Sequence, residues 1–333
     1  MSALQISWFV LIGALLAGYM ILDGYDLGVG FWHQFARSSN ARKGLRSAIA
    51  PYWDANEVWL ITAGGALFAA FPMVYATVFS GFYPALMLLI FALVFRAVSI
   101  EYVAHASDKA KGLWEVAFGA GSTLAALLFG VAAGNLMQGL PLDAQGNFTG
   151  SFVDLLGWFP LLTGVAGLAL FAMHGGLFLL MNQDEKIAAM AGKWALRGWA
   201  AYLISLIGCY FAAGIAATDM MAKISATPGL WLFYPLLMLC VAGIGVLIGL
   251  NRARQAFLCS CVSIIVLVAS IGAAIYPDMV PARGAGRSLS ILDSSSSELT
   301  LGIMFLVAIV GMAVMLGYTY WVRKVFKGGS VEY

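Results

Sequence analysis

Acidic side chains occur in closely spaced pairs in this sequence, and carboxylates are groups that can accept and release protons. Asp23 and Asp26 stand three residues apart, as do Asp54 and Glu57, and Glu101 lies further along the chain. A spacing of three places both members of a pair on one face of a helix. The pattern therefore indicates a group of carboxylates that could pass protons on.

The segments around these acids are strongly apolar. Of the 333 residues, 62% are hydrophobic and only 10% are charged, whereas soluble proteins carry roughly 25% charged residues. The net charge of +2 is too small to argue for a nucleic acid or an acidic partner. We therefore expect one transmembrane domain, residues 1–333, with no separate soluble domain.

Nine runs are long and apolar enough to span a membrane as helices, which requires about 20 residues each. They cover residues 7–30, 52–76, 80–100, 114–137, 157–181, 197–217, 229–250, 257–276 and 299–322. The first run lacks the features of a cleaved signal, and the polar stretches 33–48 and 277–298 are of loop length. The prediction is an all-α integral membrane protein with two four-helix bundles and one peripheral helix.

Basic residues divide unequally between the two sets of loops. The set that includes the C-terminal tail holds fifteen Lys and Arg residues, and the opposite set holds only Lys223, Arg283 and Arg287. The fifteen are Arg37, Arg42, Lys43, Arg46, Arg96, Lys109, Lys111, Lys186, Lys193, Arg197, Arg252, Arg254, Arg323, Lys324 and Lys327. Because short loops rich in Lys and Arg stay cytoplasmic, we expect the N-terminus outside and the C-terminus in the cytoplasm.

Asp23 and Asp26 fall at the inner end of the first predicted helix. An ionisable residue inside a membrane costs about 2.5–3.5 kcal/mol on insertion scales and usually faces a bundle interior or a proton path. Gly24, Gly28 and Gly30 would let another backbone or water approach this helix closely. The alternative is an interfacial helix end whose acids bond to backbone amides, and the sequence leaves both open.

A second polar cluster opens the second run, with Trp53, Asp54, Asn56 and Glu57 ahead of a wholly apolar stretch. Ordinary capping of the helix by Asp54 is the simpler interpretation, but capping needs one such group rather than three. Trp59 and Trp53 could shield a proton route from lipid.

The second run also contains a proline and ends close to the third run. Pro72 predicts a kink whose freed carbonyl is satisfied by a neighbour or by water. The short connection at residues 80–81 predicts a tight antiparallel hairpin, which would bring Glu101 towards Asp54.

The remaining charged and imidazole groups have simpler interpretations. Arg96 is five residues from Glu101, off the ideal pairing distance, and is interpreted as an interfacial anchor. His33 and His105 fall in loops and are expected to be solvated. His174 lies inside the fifth run. Three interpretations are open for it: a proton relay, a metal or haem ligand, or a hydrogen-bonded packing residue. No second histidine lies in a predicted span, so no haem or metal site is expected on this chain.

Several segments resemble subunit II of the cytochrome bd-type quinol oxidases. They are LDGYDLGVG at 22–30, APYWDANEVWLITAGGALFAAFPMVYATVFSGFY at 50–83, FR at 95–96, GNLMQG at 134–139 and SSELTL at 296–301. The later loops are short, as in the compact, cyanide-insensitive members of that family.

The resemblance implies a multi-pass subunit of a respiratory complex in the bacterial cytoplasmic (inner) membrane. A partner, subunit I, would hold two haems b, one haem d and the quinol site, and a small accessory subunit could join them. Quinol would be oxidised near the outer face and oxygen reduced to water with protons from the cytoplasm. This chain would serve as scaffold and proton conduit, and would hold no cofactor other than a structural quinone or lipid.

The resemblance also suggests roles for single residues. The family's proton-path aspartate in the WD motif corresponds to Asp54, and its DGYD carboxylates correspond to Asp23 and Asp26. Glu101 stands where other members have Asp. The resulting hypothesis is that Asp54 takes protons from cytoplasmic water and passes them, through Glu101 or ordered water, towards haem d.

Two other classes of function are open from the sequence. A secondary transporter with intramembrane carboxylates is one, although transporter sites usually lie near the membrane midplane. A purely structural subunit, whose acids only cap helices and bind subunit I, is the other.

Overall fold

The computed structural model describes residues 1–103, 105–182 and 184–325. Lys327, one of the fifteen basic residues counted above, lies outside them. In chain order the helices are α1 (Ala3–His33), α2 (Ser39–Ile49), α3 (Trp53–Ala70), α4 (Pro72–Gly81), α5 (Tyr83–Tyr102), α6 (Asp108–Gln138), α7 (Trp158–Leu180), α8 (Glu185–Ala216), α9 (Thr218–Ala226), α10 (Phe233–Gly249), α11 (Ala253–Ile275), α12 (Ile291–Ser294) and α13 (Glu298–Val325). Two short strands, β1 (Asp278–Val280) and β2 (Leu289–Ser290), pair antiparallel.

Eight helices in the described part of the chain are long and apolar enough to cross a membrane. They are Ala3–His33, Tyr83–Tyr102, Lys109–Gln138, Trp158–Leu180, Glu185–Ala216, Pro228–Gly249, Ala253–Ile275 and Glu298–Val322. These eight correspond to eight of the nine predicted spans. The second predicted span is divided between α3 and α4, so the count of nine stays a prediction, as do the two-bundle arrangement and the sidedness.

The break between α3 and α4 is at Phe71 and Pro72, where the sequence predicted a kink. Pro72 opens α4 because a proline cannot continue the hydrogen-bond ladder of the preceding helix. The carbonyls of Ala69 and Ala70 are satisfied from a distant loop, where the Ser296 hydroxyl donates to the first at 2.7 Å and its backbone N–H to the second at 2.9 Å. The polar SSELTL segment thus stabilises the helix break.

The expected tight hairpin between the second and third predicted spans is observed only in part. α4 is joined to α5 through Phe82, α3 packs mainly against α1, and α5 packs mainly against α6. α3 and α5 still meet at one point, where Glu57 contacts Arg96, but the two helices are not packed together along their length.

The centre of the fold is α1, which packs against α3, α6, α7 and α11. A side chain at Gly28 would lie 1.9 Å from the Phe171 carbonyl oxygen, and one at Gly175 would lie 2.6 Å from the Gly28 carbonyl carbon. Gly24 faces the Phe171 ring and Gly30 faces the Ser122 hydroxyl in the same way. The predicted close approach of another backbone is therefore confirmed at Gly28, whereas Gly24 and Gly30 make room for side chains.

The polar stretch 33–48, expected to be a loop, contains the short helix α2. Its N-cap Ser38 accepts a hydrogen bond from the Ala41 N–H, and Leu45 and Ile49 are fully buried. His33, expected in solvent, is also buried, with Nε2 2.9 Å from Arg46 Nη1 and its ring edge-on to Phe118. That expectation was wrong because an amphipathic helix of eleven residues covers the end of α1.

The stretch 277–298 contains β1, β2 and α12, and it anchors α13 against the start of α1. Gln5 Nε2 donates to Ser295 Oγ at 2.6 Å, and Trp8 Nε1 donates to the Leu301 carbonyl at 3.1 Å. Beyond this anchor, α13 contacts α1 and α3 and exposes most of its apolar side chains on the isolated chain.

Candidate functional site

A fully buried arginine joins the acids of two other helices. Arg96 on α5 donates from Nη1 to Asp23 Oδ1 at 2.8 Å and from Nη2 to Glu57 Oε1 at 2.5 Å. The side chains of Arg96 and Asp23 are 0% exposed and that of Glu57 is 23% exposed. The ion pairs thus connect α1, α3 and α5 in the interior of the protein.

Asp26 lies beside this cluster without a cation of its own. The amide nitrogen of Asn56 lies 2.8 Å from Asp26 Oδ2, 2.8 Å from the Tyr25 hydroxyl and 3.2 Å from the Leu22 carbonyl oxygen. Asp26 is completely buried, and Asn56 is nearly so. One amide from α3 therefore links three polar groups of α1.

Several buried polar atoms in this region have no protein partner among the described residues. They are Asp23 Oδ2, Asp26 Oδ1, Arg96 Nε, Tyr19 Oη and Trp59 Nε1. Buried polar groups of proteins nearly always have a partner, and ordered water often supplies it. The site is thus a polar region inside an apolar helix bundle.

The charges of this region do not balance. Asp23, Asp26 and Glu57 provide three carboxylates for the single guanidinium of Arg96. An uncompensated charge in the interior of a protein is costly. The cluster has the composition needed to take up and hold a proton.

Asp54 lies apart from the buried acids. It is exposed in the first turn of α3, and the N-cap of that helix is Tyr52, with no side-chain cap. The capping interpretation of Asp54 is therefore wrong. Trp53 is half-buried, and Trp59 is buried with its ring against Gly18 of α1.

The structure does not bring Glu101 to Asp54. Glu101 is half-buried at the end of α5, and neither carboxylate makes a hydrogen bond or ion pair within the residues that the structure describes. Arg96 does not pair with Glu101, and this agrees with the prediction from their spacing of five residues. The interpretation of Arg96 as an interfacial anchor is wrong, because its side chain is fully buried in the protein. Its partners lie on other helices, where the sequence spacing gives no information.

The alternative interpretation of Asp23 and Asp26 as an interfacial helix end is also wrong. Both are completely buried, and their partners are the side chains of Arg96 and Asn56 rather than backbone amides. α1 continues for seven residues beyond Asp26, to His33.

His174 occupies a closed position between three helices. Its Nδ1 lies 2.7 Å from Ser260 Oγ on α11, its Nε2 lies 2.9 Å from the Ile21 carbonyl oxygen of α1, and its ring stacks on Phe257. Both ring nitrogens are therefore in use, so the site does not fit haem ligation. Within the described ranges, no three His, Cys, Asp or Glu side chains are grouped to hold a metal ion.

Two participants in buried polar contacts were not predicted from the sequence. Tyr25 lies between the two aspartates and approaches Asn56, and its position in the DGYD segment was the only available signal. Glu115 is buried at the start of α6, 2.5 Å from Arg42 Nη1 and 3.6 Å from Arg46 Nη1. For Glu115, the only signal in the sequence was the position of a glutamate at the edge of an apolar run.

Comparison with known proteins places this arrangement in a family. The sequence matches, over residues 4–326, the family described as cytochrome bd terminal oxidase subunit II. It is 33% identical to cytochrome bd-I ubiquinol oxidase subunit 2 of Escherichia coli K12, over 96% of this chain and 93% of that relative. It is 29% identical to cytochrome bd ubiquinol oxidase subunit 2 of Bacillus subtilis 168, over 98% and 97% of the two chains.

The fold agrees with a solved structure. A chain of the bd oxidase from Geobacillus thermodenitrificans superposes with a TM-score of 0.80 at 15% identity, covering 98% of this chain and 99% of that one. Together with the apolar helices, the family match identifies a multi-pass protein of the bacterial inner membrane and an oxidoreductase subunit. A complex with subunit I and with haems is implied by the family. The chain belongs to the cytochrome bd terminal oxidase subunit II family.

Proposed function

We propose that this chain is the scaffold and proton-conducting subunit of a quinol oxidase that reduces oxygen to water. In this proposal subunit I holds two haems b, one haem d and the quinol site, and the haems supply the oxygen chemistry. The two curated relatives are named as ubiquinol oxidase subunits, which supports ubiquinol as the donor. Charge separation without a pump, an accessory subunit, bound lipid or quinone and insensitivity to cyanide belong to the same proposal.

The observation that carries the proposal is the buried group of three carboxylates around one guanidinium. Asp23, Asp26 and Glu57 converge from two helices, and two of their oxygens have no protein partner in the described chain. A purely structural ion pair needs one acid for each base. The excess acids and the unpartnered oxygens favour a hydrated region that exchanges protons.

Asp54 is the proposed point of proton uptake. Its carboxylate is exposed at the start of α3, and Glu57 follows three residues later on the same helix. A proton taken up by Asp54 from cytoplasmic water can move inward by way of Glu57, or along the surface towards Glu101 and the partner subunit. The remaining residues hold these groups in place, with Trp53 and Trp59 limiting contact with lipid.

The test is an Asp54→Asn variant of the assembled oxidase, with quinol oxidase turnover measured at verified haem content. Turnover should fall by about 100-fold or more, the lower end of what a positioned proton-transfer group contributes. Glu185→Gln is the matched control, because Glu185 is exposed at the start of α8, away from the acids. Its turnover should equal that of the wild type.

The same measurement separates the proposal from a scaffold role. If Asp54→Asn assembles with all haems and turns over at the wild-type rate, the acid is not on a proton path and the subunit is structural. If the variant fails to assemble, the conservative Asp54→Glu variant should restore both assembly and turnover.

A further inference from the structure

A basic cleft lies at the end of the bundle at which α1 and α5 end. It has a volume of about 260 Å³ and is formed by α2, the end of α5 and the start of α6. Its walls consist of Ser39, Asn40, Lys43, Arg46, Ser47, Ala50, Ile100, Val103 and Lys111. None of these nine residues is acidic, and none belongs to the acid cluster around Arg96.

Two of the three cations of the cleft have no ion-pair partner among the side chains that the structure describes. Lys43 and Lys111 form no ion pair within the described ranges. The nearest acid to Arg46 is Glu115, 3.6 Å away and already bonded to Arg42 at 2.5 Å. The cleft therefore carries an excess of positive charge.

Arg46 is held in the wall with part of its guanidinium unused. The residue is only 8% exposed, and its Nη1 lies 2.9 Å from His33 Nε2. Its Nε and Nη2 make no hydrogen bond to any residue in the described part of the chain. A buried guanidinium with unused donors is well suited to bind a phosphate oxygen.

The first turn of α2 supplies further donors. Ser39 and Asn40 are its first residues, and the N-cap Ser38 already accepts a hydrogen bond from the Ala41 N–H. The preceding N–H groups at this helix end have no intrahelical partner, and the helix dipole favours an anion there. Hydroxyl groups of Ser39 and Ser47 complete a polar wall.

The remaining wall of the cleft is apolar. Ile100 lies in the last turn of α5, and Val103 directly follows that helix. The exposed side chains of Phe91 and Phe95 lie on the opposite face of α5 and are not part of the cleft. A phosphate group matches a cleft that offers basic side chains, hydroxyl groups and free backbone N–H groups. We propose that the cleft binds a phosphate group, carried by an anionic phospholipid of the adjacent leaflet or free in solution.

The experiment uses the assembled, delipidated oxidase and follows its thermal midpoint during titration with three probes. These are phosphatidylglycerol, phosphatidylcholine and inorganic phosphate. Phosphatidylglycerol should raise the midpoint more than phosphatidylcholine does, because the choline cation is repelled by the basic wall. A comparable rise with inorganic phosphate alone would identify free phosphate as the source, and no rise with it would identify the lipid.

The variant for this experiment is Lys43→Ala combined with Lys111→Ala. Apparent affinity for phosphatidylglycerol should fall about 25-fold, because each of the two basic residues near an anionic lipid contributes a factor of about five. Lys186→Ala combined with Lys193→Ala is the control, since both side chains are exposed and outside the cleft. It should keep the wild-type affinity.

Two results would overturn the proposal. One is an equal response of the Lys43 and Lys111 double variant and the wild type to all three probes. The other is an equal response of the wild type to phosphatidylglycerol and phosphatidylcholine, with none to inorganic phosphate. Should the double variant not assemble, the single Lys43→Ala variant supplies the comparison, because the Lys43 side chain is exposed.

Discussion

At the scale of single residues, Arg96 determines how the acids of α1 and α3 are arranged. It holds Asp23 and Glu57 on opposite ends of its guanidinium, while Asp26 is left with the amide of Asn56. The two aspartates of α1 therefore differ in role although they are three residues apart in one helix. Asp23 is a partner in a buried ion pair, and Asp26 is a buried acid without a cation.

This difference predicts opposite outcomes for two identical substitutions. Asp23→Asn removes one partner of a buried ion pair, a change that costs about 3 kcal/mol, and should lower the thermal midpoint of the oxidase clearly. Asp26→Asn should leave the midpoint close to that of the wild type, because the new amide keeps an oxygen for Asn56. Equal decreases of the thermal midpoint in the two variants would show that the charge of Asp26 also stabilises the protein.

A second pair of variants distinguishes the two routes that leave Asp54. Glu57→Gln should lower turnover if protons move inward through the acid cluster, and Glu101→Gln should do so if they follow the surface. We expect the larger effect from Glu57→Gln, because Glu57 reaches the buried acids and Glu101 makes no side-chain contact with them in the described chain. Glu101→Asp, with a shorter carboxylate arm, is the control for that position. A larger loss of turnover in Glu101→Gln would reverse the assignment.

The residues of the site could be predicted from the sequence, but their partners could not. Acids and an arginine inside apolar runs are costly, which made Asp23, Asp26 and Arg96 stand out. Their pairing depends on which helices meet and in what register, which the spacing of residues does not give. Glu101 was expected near Asp54, whereas the acids that reach Arg96 are Asp23 and Glu57. His33 was assigned to solvent because the helix that covers it is polar overall.

At the scale of helices, the contact between α1 and α7 depends on glycine. Gly28 packs directly against the Phe171 carbonyl and Gly175. Any residue larger than glycine at position 28 would keep the two helices from approaching this closely. A close contact of this kind could be expected from the sequence, because Gly24 lies between the two aspartates of α1 and Gly28 and Gly30 follow them. The sequence did not reveal the partner helix, which comes from a distant part of the chain.

Gly28→Ala should destabilise the protein by about 1–3 kcal/mol, the range for a side chain forced into a filled interior. The added carbon would lie 1.9 Å from the Phe171 carbonyl oxygen, so α1 and α7 would have to separate. Gly13→Ala is the control on the same helix, because no atom lies within 4 Å of the added carbon. The thermal midpoint should fall for the first variant only; unchanged behaviour of both would contradict the tight contact.

Broken and short helices were harder to predict than long ones. Pro72 signalled the break between α3 and α4, but the satisfaction of the freed carbonyls by Ser296 depends on residues more than 200 positions away. α2 was not expected because its apolar residues are few, and packing against the ends of longer helices stabilises it.

At the scale of the whole molecule, composition and charge distribution account for most of what could be predicted. A chain with 62% hydrophobic residues must place its helices in lipid, and eight such helices are present in the described part of the chain. The acids of the site lie on the helices α1 and α3, which pack together near the end of the bundle that carries the basic cleft. If that end faces the cytoplasm, as the basic loops predict, protons reach the acids from the cytoplasmic side.

The most direct test of the central claim is proton uptake during a single turnover with oxygen. It is measured with a pH indicator on the cytoplasmic side of vesicles that contain the assembled oxidase, comparing Asp54→Asn with the wild type and the Glu185→Gln control. The account predicts that uptake in Asp54→Asn slows by about 100-fold or more, while the haem spectrum stays unchanged and the control behaves as the wild type. Uptake at the wild-type rate in Asp54→Asn, with all haems in place, would contradict it.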